Sequence, residues 1–185
     1  MSQGQLSPPP GPDDHYVGPP DAAVVLVEYG DYECPHCGRA HVVLTEVLAS
    51  LAGQVRFVFR NFPLSEVHPH AERAAEAAES VAAHAGNEAF WEMHDLLFEN
   101  QDALEPDDLV GYAEAVGVSG TAVAEELATR TRRERVRADF KSGIRSGVNG
   151  TPTFFVNGRR FDGNWADAAE FAAALRTAAY ANSRA

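Results

Sequence analysis

The sequence predicts a mixed α/β fold with an all-helical block inserted into it. Three observations carry this. Two β-rich runs flank a helical repeat between Val24 and Phe59, and about 75 residues of helical periodicity follow. Strand character returns only at Thr153, with a turn and a last helix behind it. At 185 residues, 45% of them apolar, the chain can bury one sizeable core with a subdomain set into it.

The elements are justified in order. Residues 1–20 hold six prolines among Ser, Gln, Gly and Asp, a composition that favours extended, polyproline-like conformers, so a flexible tail is expected there. Val24-Val25-Leu26-Val27 is a β-branched run suited to a strand covered on both faces. After Cys37, apolar residues recur at Ala40, Val43, Leu44, Val47, Leu48 and Leu51, one face of a helix that Gly53 stops. Val55-Arg56-Phe57-Val58-Phe59 alternates as a second strand, ended by Asn61-Phe62-Pro63. Residues 21–65 are thus the first part of the α/β domain.

Residues 66–146 form the inserted helical subdomain. Pro69 to Ala85 is one helix closed by Gly86, and Asn87 is placed to cap a second with Phe90, Trp91, His94, Leu97 and Phe98 on one face. Pro106 opens a third bearing Leu109, Tyr112, Ala113 and Val116, with Gly117 as its stop. Ser119 then caps a long segment reaching Val136, Phe140 and Ile144. Residues 147–185 complete the α/β domain: a strand over Thr153-Phe154-Phe155-Val156, an Asn157-Gly158 hairpin turn, Arg159-Arg160-Phe161, and a helix presenting Trp165, Ala168, Ala169, Ala172 and Leu175.

Fifteen basic residues against 27 acidic ones give a net charge of -12, which repels phosphates and anionic lipid surfaces, so nucleic acid is not an expected partner. No apolar run approaches the roughly 18 residues that span a bilayer, so no membrane insertion is expected. Nothing before Arg39 is Lys or Arg, so the chain as written reads as cytoplasmic; the alternative is an exported protein whose leader was removed.

Cys34-Pro35-His36-Cys37 is the strongest chemical signal. Two cysteines separated by two residues at a helix start can close a small, labile disulfide, and a sulfur at a helix N-terminus faces unpaired N–H groups that favour the thiolate. Cys34 is then the nucleophile and Cys37, one turn in and shielded, resolves the mixed disulfide. Pro35 fits the first turn, where a missing N–H costs nothing, and His36 can lend a hydrogen bond or charge to the Cys34 thiolate. The alternatives are an inert pair or a half metal site. Cys34, His36, Cys37 and His41 are all zinc-ligand types, but a closed zinc site usually draws on two separated knuckles and no second one exists here, so no metal is expected.

Glu28 stands in an apolar strand six residues before Cys34, where a buried carboxyl could shuttle the Cys37 proton; otherwise it is a strand-end acid reaching solvent. Pro152, before a strand, cannot donate a ladder hydrogen bond, which a cis bend or an ordinary trans turn would accommodate. His68, His70, His84 and His94 read as surface or satisfied core residues. Arg130, Arg132, Arg133, Arg135 and Arg137 read as a solvated helix face, with docking of an acidic partner as the sharper option.

The stretch Glu28-Tyr29-Gly30-Asp31-Tyr32-Glu33-Cys34-Pro35-His36-Cys37 and the run Gly147-Val148-Asn149-Gly150-Thr151-Pro152-Thr153-Phe154-Phe155-Val156-Asn157-Gly158 resemble the DsbA-like family of thiol-disulfide oxidoreductases. Arg60-Asn61-Phe62-Pro63-Leu64 and Phe90-Trp91-Glu92-Met93-His94-Asp95 add to the likeness, which covers Asp21 to Ala179. The resemblance implies a thioredoxin-like fold with a helical insertion, Cys34 attacking and Cys37 resolving. It places Pro152 as the family's cis-proline, with the backbone at Gly150 and Thr151 binding substrate peptide, and Glu28 as the buried acid. Pro35-His36 is similar to the dipeptide of strongly oxidising members, whereas Thr151 stands where those tend to carry valine and several isomerases or reductases carry threonine. Protein or peptide thiols are the expected substrates, with a redox partner recycling the pair and no metal, flavin or nucleotide cofactor. The rival readings are a reductase or isomerase, and a redox-inert peptide-binding module.

Overall fold

The computed structural model describes residues 4–182. Five strands, β1 (His15–Val17), β2 (Val24–Gly30), β3 (Val55–Asn61), β4 (Thr153–Val156) and β5 (Arg159–Phe161), form one sheet in the order β1-β3-β2-β4-β5. Only β2 and β3 run parallel. A parallel pair needs a crossover, and α1 (Pro35–Ser50) supplies it. Asn157 and Gly158 turn the β4–β5 hairpin with φ of 48° and 80°, the left-handed values that this pair tolerates. The helices α2 (Ala71–Glu99), α3 (Pro106–Ala115), α4 (Gly120–Thr129) and α5 (Arg133–Arg145) lie between β3 and β4, and α6 (Ala168–Asn182) closes the chain.

Alternation along β2 decides which side each residue serves. Val24 and Leu26 pack with Ala40, Leu44 and Val47 of α1 and with Phe171 and Leu175 of α6. Val27 and Tyr29 point the other way, onto Val58, Phe155, Phe62 and Leu6. A third cluster joins the helical block to the sheet: small Ala74, Ala77, Ala78 and Val81 of α2 let α3 and α4 approach, while Phe90, Met93 and Leu97 reach Phe59 and Tyr32. The two cysteines belong to this third cluster, at the junction of sheet and helical block.

Four expectations are corrected. The stretch expected to be a flexible tail is, over its described part, strapped to the sheet, with residues 1–3 outside the described range. His15–Val17 pairs antiparallel with β3, Leu6 N–H bonds the Gly158 carbonyl at 2.8 Å, and Leu6 is buried. The buried Arg60 guanidinium explains the strap: it needs acceptors, and Asp14 (2.7 and 2.9 Å) with the Pro8 and Pro9 carbonyls (3.0 and 3.3 Å) provides them. Second, Gly86 (φ 85°, ψ -171°) breaks α2 as expected of a stop, but Asn87 does not cap. Its amide instead bonds both the N–H and the carbonyl of Tyr16, at 3.0 and 2.8 Å, as an edge-strand partner would. Third, the segment capped by Ser119 is two helices, because Arg130 adopts φ 58° and ends α4. Fourth, most of the arginine run is ion-paired within the chain and only partly exposed, not a free solvated face. Arg130 pairs with Glu76 and Glu72, Arg132 with Glu126, Arg133 with Glu72, and Arg135 with Glu79 and Asp139. Glu76, Glu79 and Asp139 are buried carboxylates, which must be paired to remain charged inside the protein.

Candidate active site

Cys34 is the N-cap of α1, with Pro35 in the first helical turn. Its N–H bonds the Asp31 carbonyl at 3.1 Å and its carbonyl accepts from Gly38 N–H at 3.1 Å, so the turn and the first helical bond both pass through this residue. The sulfur lies 3.6 Å from the Thr151 carbonyl, and the Thr151–Pro152 peptide is cis. Thr153 Oγ1 donates to the Gly150 carbonyl at 2.7 Å, fixing the loop that brings Thr151 and Pro152 against the helix start.

The two thiols sit in opposite environments. Cys34 is brought down to about 4: the Cys37 thiol donates to its thiolate, and although burial opposes the charge, the Thr151 side chain and the Cys37 and His36 backbone N–H groups favour it. The Thr151 hydroxyl is buried and has no hydrogen-bond partner in the reduced protein, the 3.6 Å contact to Cys34 being made by the Thr151 carbonyl. Cys37 is pushed upward, by burial first and then by its bond to Cys34 and the charges of Glu28 and Cys34. The expectation of one open and one covered sulfur needs adjustment, since Cys34 is only 4% exposed against 0% for Cys37. Electrostatics separates them more than exposure does.

Glu28 lies on the α1 side of β2, paired in register with Phe59 and Phe154, and is 1% exposed. Its Oε1 has no hydrogen-bond partner. Burial, aided by the Cys34 charge, pushes the carboxyl up to about 8. A carboxyl neutral at pH 7 beside a buried thiol can give or take one proton.

His36 is placed differently from expectation. Its side chain is exposed and its Nδ1 accepts from the Arg39 guanidinium at 2.5 Å, turning the ring away from the thiolate; only its backbone N–H serves Cys34. A ring at the second helical position follows the outward face of α1, while the N–H groups point along the axis to the sulfur.

Sequence reasoning missed the residues that hold the loop. Asp31, buried, accepts from the N–H groups of Glu33 and Leu64 and from His68 Nδ1, all at 2.8 Å. Glu33 accepts from the backbone N–H of His70 at 2.7 Å and contacts its ring at 2.9 Å. Asp31-Tyr32-Glu33 and His68-Pro69-His70 share a two-residue spacing of opposite charge types, a signal that could have found the match. Gln101 had no such signal. From the helical block it donates to the carbonyls of Tyr32 (2.8 Å) and Cys34 (2.9 Å), and glycine at 38 leaves room for it, since a Cβ there would lie 2.2 Å from Gln101 Oε1.

Comparison with known proteins is consistent with this picture. The family model described as Thioredoxin matches residues 11–176. Among curated proteins, the chain is 47% identical over 188 residues to one named Na(+)/H(+) antiporter NhaA 1, of Salinispora arenicola, covering 100% of this chain but 28% of that protein. The chain thus spans about a quarter of the length of the curated relatives it matches. Among solved structures, oxidised BdbD of Bacillus subtilis superposes with a TM-score of 0.84 at 27% identity, covering 96% of this chain and 97% of that one. Wolbachia pipientis α-DsbA1 gives 0.78 at 19% identity, with 94% of each chain covered, a likeness of fold.

Proposed function

The chain belongs to the thioredoxin family, in its DsbA-like form with a helical insertion, and on that premise we propose that it exchanges disulfides with protein or peptide thiols through a mixed disulfide on Cys34. The observation that carries the reading is the contrast between a Cys34 thiolate favoured down to about 4 and a Cys37 thiol held protonated behind it. In the oxidising direction a substrate thiolate attacks Cys34 Sγ, the Cys34–Cys37 bond breaks, and its electron pair leaves on Cys37, which takes a proton from Glu28. A second substrate thiolate attacks the substrate sulfur of the mixed disulfide and expels Cys34. Two substrate thiols become a disulfide, and the cysteine pair carries away two electrons for a redox partner to remove. A stabilised thiolate is a good leaving group, which favours this direction. Edge carbonyls and N–H groups around Thr151 and Pro152 would hold the substrate peptide beside Cys34, by main-chain pairing.

Transport, named for the longer relatives, is not proposed for this segment. It carries the thiol site, and no helix among the described residues is long and apolar enough to cross a membrane.

Insulin reduction by dithiothreitol, followed by turbidity, tests the reading. Wild type should accelerate precipitation and Cys34→Ser should not; equal rates would leave a peptide-binding module. Equilibration with glutathione then fixes direction: a potential well above the cytosolic poise marks an oxidant, and one below it overturns the oxidising assignment.

A further inference from the structure

Below the active-site loop, between α1 and α2, lies a group of donors that the thiol chemistry does not use. The imidazoles of His41 and His94 and the carboxylate of Asp95 each present one ligand atom, and these atoms lie within 4.8 Å of one another. His41 Nε2 is already 3.7 Å from Asp95 Oδ1. All three border a cavity of about 140 Å³ whose walls include Leu44, Phe57 and Trp91.

Three features prepare these side chains for a cation. The Tyr32 hydroxyl contacts His94 Nδ1 at 3.1 Å, which orients the ring and leaves Nε2 as its other nitrogen; a partner on one nitrogen is how proteins usually aim an imidazole ligand with the other. His94 is 2% exposed, so its ring is held inside the fold and does not compete for solvent partners. Phe59, Trp91 and Phe98 meet His94 edge to face and keep the pocket apolar, which strengthens the attraction between a carboxylate and a bound ion.

We propose that His41, His94 and Asp95 bind a divalent transition ion of the zinc class, with an open fourth position facing the cavity. Two imidazoles and one carboxylate form a three-ligand set that zinc accepts, with ligand distances of about 2.0–2.2 Å that put tetrahedral donors roughly 3.4 Å apart. The donors, now within 4.8 Å of one another, must draw together to bind the ion, and Asp95, whose side chain is 58% exposed, has room to turn toward it. No sulfur takes part. The site therefore fills in the oxidised protein and is distinct from any zinc that reduced Cys34 and Cys37 capture. Tyr32, two residues before Cys34, and His41, four after Cys37, tie it to the loop and helix of the thiol site.

The test uses the oxidised full chain, freed of metal by chelator and titrated with zinc chloride by calorimetry and with cobalt chloride by absorbance. One equivalent of zinc should bind, and cobalt should give the visible bands of a low-coordinate nitrogen–oxygen site. His41→Ala and Asp95→Asn, both near the surface and outside the core, should each weaken zinc binding by about tenfold or more. His84→Ala, a histidine elsewhere on α2 that contacts Glu126, should leave it unchanged. No uptake by wild type, undiminished binding by His41→Ala, or an equal loss in His84→Ala would each overturn the site. No turnover is involved, so the outcome is independent of the thiol-disulfide reading.

Discussion

Replacing Glu28 by glutamine removes a carboxyl whose environment pushes its pKa from 4.5 to about 8. In the unfolded chain the group ionises near its ordinary value; in the folded protein it keeps its proton over a further 3.5 units, the difference between 8 and 4.5. A raised folded pKa leaves stability intact below about pH 4.5, then removes it progressively as pH rises, until the loss levels off above about pH 8. At about 1.36 kcal/mol per unit the full loss is on the order of 5 kcal/mol, and about 3 kcal/mol of it has accrued at pH 7. Glutamine occupies the same volume and leaves the same unpartnered position that Oε1 holds, so the variant supplies a baseline without the titration. Urea unfolding of the reduced proteins at pH 5, 7 and 9 should show Glu28→Gln gaining on wild type with each step, by a few kcal/mol in all. Oxidation removes the Cys34 thiolate that helps raise this pKa, so in the disulfide form the divergence should level off at a lower pH and be smaller. If the two proteins lost stability in parallel with pH, Glu28 would be ionised in the folded state and the proton role assigned to it would fail.

Iodoacetamide at pH 6 should modify Cys34 and spare Cys37 in the reduced protein, because only the first thiol is ionised there; peptide mass spectrometry showing Cys37 labelled first would reverse the assigned roles. Gln101→Ala removes two hydrogen bonds from the cysteine loop and should cost about 1–3 kcal/mol of stability and slow insulin reduction. Gly38→Ala, which drives a Cβ into the Gln101 side chain, should do likewise, and the double variant should be no worse than Gln101→Ala alone; additive losses would separate the two sites. His68 is coupled to the thiolate electrostatically: burial works against its charge, but the Asp31 carboxylate and then the Cys34 charge outweigh it and raise its pKa. His68→Gln should therefore lower the redox potential by about 10 to 30 mV near pH 6 and by less as pH rises through the raised histidine pKa. His36→Ala should move it less, because that ring faces Arg39, and a larger shift in His36→Ala than in His68→Gln would refute the ordering.

Local pattern was enough to place every strand but β1, the helix carrying the cysteines and the hairpin at Asn157-Gly158, because each rests on a short-range rule: alternation, helical spacing, or a turn pair able to take positive φ. The same local chemistry identified Cys34 and Cys37, since a helix start favours a thiolate whatever surrounds it. Glu28 was visible as a charge out of place in an apolar run. What escaped had its cause elsewhere in the chain. The proline-rich start is held because Arg60, far along the sequence, needs carbonyls that prolines can give. The arginine run turns inward because Glu76, Glu79 and Asp139 are buried by packing that no window of neighbouring residues reveals. His36 loses its expected partnership to a rotamer directed at Arg39, while His68 and Gln101, 34 and 67 residues beyond Cys34, reach the loop only after the helical block has docked. Sequence by itself singled out the candidate thiol pair. Tertiary structure decided which charges surround them, because hydrogen bonds and fields act through space and not along the chain.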